Sequence, residues 1–328
     1  MNETSRTLPA VGVDLGGTKV ETALVDDAGR ILASNRQPTH AEKGPDAIRR
    51  AVCDAVKACL ARSSQRPSGV GVGIAGQVDG DTGEVYAAPN LGWHNVPLKA
   101  ELEAELSLPV YVTNDVRAAA WGEWKYGAGR GVNDLVCVFV GTGIGGGIVS
   151  GGRMMEGCSN TAGELGHMVI VHDGRKCTCP GSGCLEAYAG GWSIAERAKE
   201  AVRADAVAGA SIVSAAGGIE NITAKVVGGT SQKGDPLARR LMDETAAYLG
   251  SGITGVVNAF NPRLIILGGG VIEGSPELVQ AVENHVRPRA LKAAASKLKF
   301  VKAALGNDAG VVGAAAMAQH MSGGGPSR

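Results

Sequence analysis

Short apolar runs that end on glycine recur along the chain, and this pattern predicts buried strands that lead into tight turns. The runs cover residues 11–15, 70–75, 138–140 and 264–267, and each is followed at once by glycine. Further strands are predicted at residues 20–25, 110–112 and 168–171.

Apolar residues at helical spacing occupy much of the chain between these strands. In residues 45–62 the apolar stripe includes Cys59, which we expect in the core, and leaves Cys53 off the stripe. Helices are also predicted at residues 98–106, from 118 onward, and at 193–206, 235–257 and 309–321. Strands that alternate with helices indicate an α/β fold.

The densest glycine run lies at residues 138–149, with five glycines between Gly141 and Gly147. Glycine loses the most conformational entropy on folding, so such a run is unfavourable unless the backbone needs close approach or positive φ. Backbone amides in a glycine-rich turn can form an anion-binding nest, and Thr142 would add a hydroxyl donor. A tight β-hairpin with bulges explains this stretch equally well.

Polar residues interrupt or follow the predicted strands at two further places. Asp14 lies inside an apolar strand, where a carboxylate costs several kcal/mol unless it is paired or binds a cation. Asn114 and Asp115 follow the strand at residues 110–112, and ligands of α/β folds bind at the carboxyl ends of strands. The alternatives are a solvent-facing Asp14 on an edge strand and Asp115 as a helix N-cap.

The loop at residues 89–93 places Asn90 close to Trp93, a polar and aromatic pair that suits a sugar. An Asn beside proline is also common in plain turns.

A cluster of metal-ligating residues follows, formed by His167, Cys177, Cys179 and Cys184. Four ligands of this kind are the number that a closed tetrahedral zinc site uses. An accidental group of thiols is the alternative. A nucleic-acid-binding zinc ribbon would use the same ligands, but no basic patch accompanies them, so we expect the metal to brace a loop.

Composition and charge favour work on small molecules. Lys plus Arg and Asp plus Glu number 32 each, so no charge excess points to nucleic acid or an anionic membrane. No apolar stretch approaches the roughly 20 residues that a membrane helix needs, and residues 1–10 lack the apolar region of a signal peptide. A cytoplasmic location and reduced cysteines are expected.

Four motifs occur together and in this order: Asp14-Leu15-Gly16-Gly17-Thr18, the glycines of residues 141–147, Gly163-Glu164-Leu165-Gly166-His167, and residues 177–186. As a set they resemble the ROK family, named for repressors, open reading frames and kinases, and within it the bacterial glucokinases. The resemblance runs from about residue 11 to residue 317. Pro180 stands where the family usually has Gly, and Gln77 where Pro is common; neither departure removes a ligand, although Pro180 changes the loop backbone.

The resemblance implies an actin-like, ribonuclease-H-like pair of α/β domains with a zinc-braced loop, and with ATP and sugar in the cleft between the domains. The expected domains are residues 1–116 plus 306–328 and residues 117–305. ATP is expected at Asp14, Gly16, Gly17, Thr18, Lys19, Gly141, Thr142, Gly143, Gly145, Gly146, Gly147, Gly268 and Gly269. The sugar ligands implied are Gly76, Asn90, Asn114, Asp115, Glu164, His167 and Glu186. The zinc ligands implied are His167, Cys177, Cys179 and Cys184.

The activity implied is ATP-dependent phosphorylation of glucose to glucose 6-phosphate, with Mg²⁺ bound to ATP and positioned with help from Asp14. Asp115 is the expected general base, because phosphoryl transfer uses a carboxylate to orient the attacking hydroxyl. The alternatives are an N-acetylmannosamine or N-acetylglucosamine kinase and a non-catalytic sugar sensor. A repressor is not expected, because only 13 residues precede Asp14. A homodimer or homotetramer is expected.

Overall fold

The computed structural model describes residues 8–323, and these fold into two compact units. Of the described residues, the first unit takes in 8–131, 154–163 and 307–323, and the second takes in Val132–Arg153 and Glu164–Gly306. The first unit thus extends beyond the expected bound at residue 116, and it includes the segment Met154–Gly163 from the range expected for the second domain.

Strands and helices alternate through most of the described range, as the apolar pattern predicts. The strands are β1 (Ala10–Leu15), β2 (Lys19–Val25), β3 (Ile31–Pro38), β4 (Val70–Ile74), β5 (Gln77–Val78), β6 (Val85–Ala88), β7 (Trp93–Val96), β8 (Val110–Asn114), β9 (Leu135–Val140), β10 (Ile144–Ser150), β11 (Arg153–Met154), β12 (Leu264–Gly268) and β13 (Lys299–Lys302). The helices are α1 (Pro45–Leu60), α2 (Leu98–Leu106), α3 (Asp115–Lys125), α4 (Glu186–Ala189), α5 (Gly191–Ala204), α6 (Ala210–Ala216), α7 (Ala224–Gln232), α8 (Pro236–Phe260), α9 (Gly270–Gly274), α10 (Glu277–Val286), α11 (Lys292–Ala295) and α12 (Ala309–Ser322).

The two large sheets are built alike. Their strand orders are β3-β2-β1-β4-β8 and β11-β10-β9-β12-β13. In each, an antiparallel pair (β1 with β2, β9 with β10) continues into two parallel neighbours. The carboxyl ends of parallel strands lie along one edge of a sheet, where α/β folds bind ligands. Each unit therefore offers one such edge.

Helix α12 packs against the first sheet at unusually close range, and glycines make this possible. A Cβ on Gly12 would overlap the carbonyl oxygen of Val311, and one on Gly71 would overlap that of Ala314. Gly313 allows α12 the same close approach to α3. Several glycines of this glycine-rich chain thus serve packing and have no part in ligand binding.

The strand predicted at residues 168–171 is wrong. A single turn of 3₁₀ helix (Leu165–His167) comes first, and Val169 then forms only an isolated bridge with Cys184. Val169 is 63% exposed, so the apolar run is not covered by neighbouring strands. The structure instead has a small third sheet of β5, β6 and β7, which the sequence pattern did not indicate.

Cys53 is fully buried although it lies off the apolar stripe of α1. Glu105 of α2 contacts its thiol, so a second helix covers that side of α1. Cys59 is buried as predicted.

Within residues 8–323, every helix is too short or too polar to cross a bilayer.

Candidate active site

Three parallel strands of the first unit end next to predicted ligand residues. Strands β1, β4 and β8 run in the same direction, and Gly16, Gly76 and Asp115 come at or just past their carboxyl ends. The fold therefore brings three separate motifs to one edge of the sheet.

The first glycine turn is held by backbone contacts. The Gly16 amide donates to the Lys19 carbonyl at 3.0 Å, and the buried Thr39 hydroxyl donates to the Gly16 carbonyl at 2.6 Å. A Cβ on Gly17 would lie 2.8 Å from the carbonyl oxygen of Asn90, so glycine is needed for this approach. The sequence analysis missed Thr39, which carries no motif of its own.

The side chains of this first turn differ in what is open to a ligand. Thr18 is exposed at the tip of the turn. The Lys19 ammonium pairs with Glu21 of the same strand at 2.9 Å. The exposed side chain of Asn90 lies beside this turn. The turn therefore presents a hydroxyl and an amide to solvent, while its cation already has a partner.

Asp14 lies on β1, the middle strand of the sheet, so the edge-strand alternative is wrong. Burial raises the pKa of its carboxyl to about 6, and the negative charges of Asp115 and Glu21 add to the rise. The Asp14 and Asp115 carboxylates are thus close enough to repel each other. A cation bound beside Asp14 would relieve this repulsion.

The N-cap of α3 is Asn114, so the alternative that Asp115 caps this helix is wrong. The Asn114 Oδ1 accepts from the amides of Val116 at 2.9 Å and Arg117 at 3.2 Å, and its Nδ2 donates to the Gly76 carbonyl at 3.3 Å. Asp115 is the first residue of α3, and its Oδ1 accepts from the Val116 amide at 2.9 Å. Asn114 thus fixes the backbone on which the Asp115 carboxylate is mounted.

The central glycine run forms a β-hairpin between β9 and β10, so the hairpin interpretation of its backbone is correct. Residues 141–143, here called the glycine turn, connect the strands, and the Gly141 amide donates to the Gly143 carbonyl at 2.9 Å. Thr142 is exposed at the tip. Phosphate binding by residues 141–147 stays a prediction, and the glycine turn is the part of this run that lies outside the strands.

The three glycines inside β10 serve the sheet. Gly145, Gly146 and Gly147 are paired in register with β9. A Cβ on Gly146 would lie 2.5 Å from a methyl carbon of the buried Leu165. Gly166 contacts β10 in the same way, since a Cβ there would overlap the Ile144 carbonyl. These contacts seat the 3₁₀ turn on the strand.

The three acidic or imidazole ligands predicted in the second unit are in different environments. Glu164 and His167 are exposed at the two ends of the 3₁₀ turn. Glu186 is buried, with 8% of its surface exposed, and its Oε2 accepts from the Ile144 amide at 2.8 Å. It lies directly beneath the glycine turn.

A cavity of about 680 Å³ opens beside the glycine turn. Its lining includes Gly141, Thr142, Gly191, Trp192, Ala195, Thr223, Ala224, Lys225, Gly270, Val271, Glu273, Gly274 and Ser275. Helices α5 and α7 begin at this lining, and helix N-termini attract anions. Trp192, Ala195 and Val271 give the cavity an apolar wall, so it suits a flat ring joined to an anion.

Most of this lining was missed by sequence reasoning. Trp192, Thr223 and Lys225 lie at the first turns of helices, in segments without a recognisable sequence motif. The start of a helix was the only feature of the sequence that could have indicated them as ligand residues. Gly268 and Gly269 were predicted near adenosine, but the lining begins at the next residue. Gly269 has φ of 87°, and a Cβ there would lie 2.6 Å from the carbonyl oxygen of Val140. These two glycines let β12 turn tightly against β9.

The predicted metal ligands form one cluster. The ligand atoms of His167, Cys177, Cys179 and Cys184 all lie within 4.8 Å of one another. The Cys179 and Cys184 sulfurs are 3.7 Å apart, and the Cys177 sulfur is 3.8 Å from His167 Nδ1. Two sulfurs bound at 2.3 Å to a tetrahedral zinc ion would lie about 3.8 Å apart. The cluster could hold a metal ion, and its donor set and spacing fit zinc.

Comparisons with known proteins agree with these observations. The model of the ROK family matches residues 10–321. A protein of Halalkalibacterium halodurans named glucokinase is 38% identical over 307 residues, covering 92% of each chain. A glucokinase of Streptomyces coelicolor is 36% identical over 311 residues, covering 94% of this chain and 97% of the relative.

A solved structure gives the same result for the fold. The ROK family glucokinase of Streptomyces griseus, in complex with glucose and AMPPNP, aligns with a TM-score of 0.82 at 35% identity. The alignment covers 95% of this chain and 99% of that chain. This likeness confirms the predicted actin-like α/β fold. With the family match across nearly the whole described range, the chain belongs to the ROK family.

Proposed function

We propose that this chain is an ATP-dependent hexose kinase and that it phosphorylates glucose to glucose 6-phosphate. The observation that carries the proposal is the arrangement at the first sheet edge, where Asp115 stands close to Asp14 and the first glycine turn follows the strand of Asp14. Relatives named glucokinase and a family structure holding glucose and AMPPNP support it.

ATP is proposed to bind in the cavity beside the glycine turn. Trp192 and Val271 give the apolar and aromatic contact that a nucleobase prefers, and the starts of α5 and α7 favour the phosphates. Thr142 offers a hydroxyl donor at the tip of the turn. Mg²⁺ bound to ATP would neutralise phosphate charge, and Asp14 is the carboxylate proposed to help hold it.

Asp115 is proposed as the general base. It would orient the 6-hydroxyl of the sugar and accept its proton as the phosphoryl group transfers. The cap at Asn114 fixes the first turn of α3, so the carboxylate is mounted on a rigid element. Rigid placement matters because proximity and orientation supply much of the rate in phosphoryl transfer.

The remaining hexose ligands are proposed from the residues that the family resemblance implies. They are Gly76, Asn90, Asn114, Glu164, His167 and Glu186. The His167 Nδ1 faces the cysteine cluster, so its Nε2 is the ring nitrogen proposed for the sugar.

Zinc is the metal proposed for the cluster. Three thiolates and one imidazole are typical of structural zinc sites. The expected homodimer or homotetramer, the cytoplasmic location and the absence of a nucleic-acid partner stay predictions.

The test is a coupled ADP-release assay across hexoses and N-acetylhexosamines. We expect kcat/KM to be highest for glucose, because buried polar partners reject a sugar that leaves them unmatched. A higher kcat/KM for N-acetylmannosamine or N-acetylglucosamine would overturn glucose as the proposed substrate, while the proposed kinase activity would stand. Sugar binding without any ADP release would instead support the non-catalytic sensor.

A further inference from the structure

Glu186 uses both carboxylate oxygens to join three separate elements of the second unit. Its Oε2 accepts from the Ile144 amide at 2.8 Å. Its Oε1 accepts from the Thr178 hydroxyl at 3.2 Å and from the Trp192 Nε1 at 3.3 Å. Hydrogen bonds to a buried charged group are stronger than bonds between neutral groups. This carboxylate is therefore a rigid junction.

The three donors come from places with different roles. Ile144 is the residue directly after the glycine turn, and Trp192 lines the cavity beside it. Thr178 lies between Cys177 and Cys179, two members of the four-ligand cluster. The junction thus connects the cluster with the turn and with one wall of the cavity.

The glycine turn depends on support from below. The Gly191 amide donates to the Gly141 carbonyl, and the Trp192 amide donates to the Thr142 carbonyl, both at 3.0 Å. A Cβ on Gly143 would overlap the Glu186 carboxylate, so the turn rests directly on that side chain. If Glu186 moved, the glycine turn would lose its contact with this carboxylate.

We propose that Glu186 is a positioning residue that couples metal occupancy of the cluster to the geometry of the glycine turn, with Thr178 as the link. The proposal rests on the proposed function, in which the glycine turn binds the phosphates of ATP. A carboxylate has about four acceptor positions, so three bonds leave one for a sugar hydroxyl. Positioning the turn is therefore compatible with a role for Glu186 in hexose binding.

The physical basis is the constraint that a bound metal places on the loop. A metal ion bound to Cys177 and Cys179 fixes the backbone of Thr178 between them. The Thr178 hydroxyl is then held in its hydrogen bond to the Glu186 carboxylate. Without the metal, the loop gains conformational freedom and the carboxylate loses a donor. The glycine turn is then less well ordered, and ordering it costs part of the nucleotide binding free energy.

The test variant is Thr178→Val, which removes the hydroxyl and keeps every metal ligand. The matched control is Ser182→Ala in the same loop, whose hydroxyl is not a partner of Glu186 in the structure. The measurements are zinc content, melting temperature and the Kd of a non-hydrolysable ATP analogue by calorimetry. We expect both variants to keep one zinc, and Thr178→Val alone to bind the nucleotide about 5-fold or more weakly, the low end of usual couplings.

Metal removal is the second perturbation, and it is combined with Thr178→Val in a thermodynamic cycle. Chelated wild-type protein is expected to lose the same nucleotide affinity, and chelated Thr178→Val to lose no more, because the two changes break one connection. Thr178→Ser keeps a hydroxyl and is expected to restore binding. This rescue separates the coupling from a general loss of folding.

Equal nucleotide affinity in wild type and a zinc-loaded, folded Thr178→Val variant would overturn the coupling and leave the kinase proposal standing. Unchanged affinity after chelation of the wild type would do the same. If zinc-loaded wild type bound no nucleotide at all, the proposed function and the coupling would both fall.

Discussion

Asp115 shows how a single residue position separates structural and chemical roles. The helix that it begins is capped by the preceding residue, Asn114, through two backbone amides. The sequence could not distinguish these neighbours, since both residue types are common N-caps. The structure does distinguish them, and it leaves the Asp115 carboxylate beside Asp14.

The variant Asp115→Asn tests the proposed general base. General base assistance is worth about 10²- to 10⁴-fold in rate, so kcat is expected to fall by that order. Melting temperature should not fall, because the Asn114 cap stays in place and the substitution removes the repulsion between the Asp14 and Asp115 carboxylates. Steady-state kinetics and thermal unfolding measure the two quantities. Asp27→Asn, at an exposed position in the turn after β2, is the control. If Asp115→Asn kept more than about a tenth of the wild-type kcat, Asp115 would be excluded as the base.

Asp14 is predicted to lower stability at neutral pH in exchange for its role. Its pKa in the folded chain is about 6, against 3.8 in the unfolded chain. A carboxyl whose pKa is raised on folding contributes stability below the lower value and loses it as pH rises through the upper one. The free energy of unfolding should therefore fall between about pH 4 and pH 6 through this group.

The variant Asp14→Asn removes the charge at the same size. One pKa unit corresponds to about 1.4 kcal/mol, and partial exposure reduces its effect, so we expect about 1–2 kcal/mol of added stability at pH 7.5. At pH 4 the gain should disappear. Turnover should fall because the proposed Mg²⁺ ligand is lost. Urea unfolding at both pH values, with Asp27→Asn as control, decides the point; a variant less stable than wild type at pH 7.5 would contradict it.

At the scale of elements, the sequence was informative wherever an apolar run ended on a special residue. Strands β1, β4 and β12 were predicted because glycine follows each run, and the cysteine cluster because its ligands are close in sequence. Strand β3 was missed because its exposed and half-exposed residues alternate at the sheet edge without an apolar run. The cavity lining was missed because its members come from distant helix starts and meet only in three dimensions.

Glycine also had two roles that the sequence alone does not separate. Gly141 has open space where a Cβ would point, which suits a ligand that approaches the backbone. Gly313 faces the backbone of α3 at the residue Ala118, where no side chain fits. Composition alone therefore overstates the number of ligand-binding glycines.

Two glycine-to-alanine changes inside helices are expected to have opposite effects on stability. Gly313→Ala places a methyl group on the Ala118 carbonyl, and overpacking of this kind costs about 1–3 kcal/mol or more. Gly255→Ala in α8 meets open space, and alanine in a helix is favoured over glycine by about 0.5–1 kcal/mol. Urea unfolding of both variants gives the comparison. If both variants changed the free energy of unfolding in the same direction, α12 could move away from α3 without a loss of stability.

At the scale of the whole molecule, the chain repeats one sheet design in two units. The antiparallel pair followed by two parallel strands occurs at β2-β1-β4-β8 and again at β10-β9-β12-β13. In each copy a glycine turn connects the two antiparallel strands, β1 to β2 in the first unit and β9 to β10 in the second. The sequence showed the turns, but the order of strands within each sheet depends on long-range pairing that a local pattern does not contain.

The cluster of His167 and three cysteines is the feature of the second unit that we expect to depend on a bound metal ion. The loop of residues 168–185 contains no strand of a sheet, and backbone hydrogen bonds such as those from Leu185 to Met168 and from Gly183 to Arg175 close it on itself. A structural zinc ion contributes folding free energy directly, because its ligands are assembled only in the folded chain. We therefore expect one zinc per chain and a protein that melts at a lower temperature once a chelator has removed it.

The variant Cys179→Ser tests this expectation against the matched control Cys158→Ser. Cys158 is an exposed free cysteine outside the cluster, so its replacement should change neither the metal content nor the melting temperature. Cys179→Ser should lower both, because three remaining ligands bind zinc more weakly than a complete tetrahedral set. Elemental analysis and calorimetric melting measure the two quantities. A Cys179→Ser protein with a full equivalent of zinc would exclude Cys179 as a necessary ligand. A metal-free wild type that melts like the loaded one would show that the bound metal does not stabilise the fold.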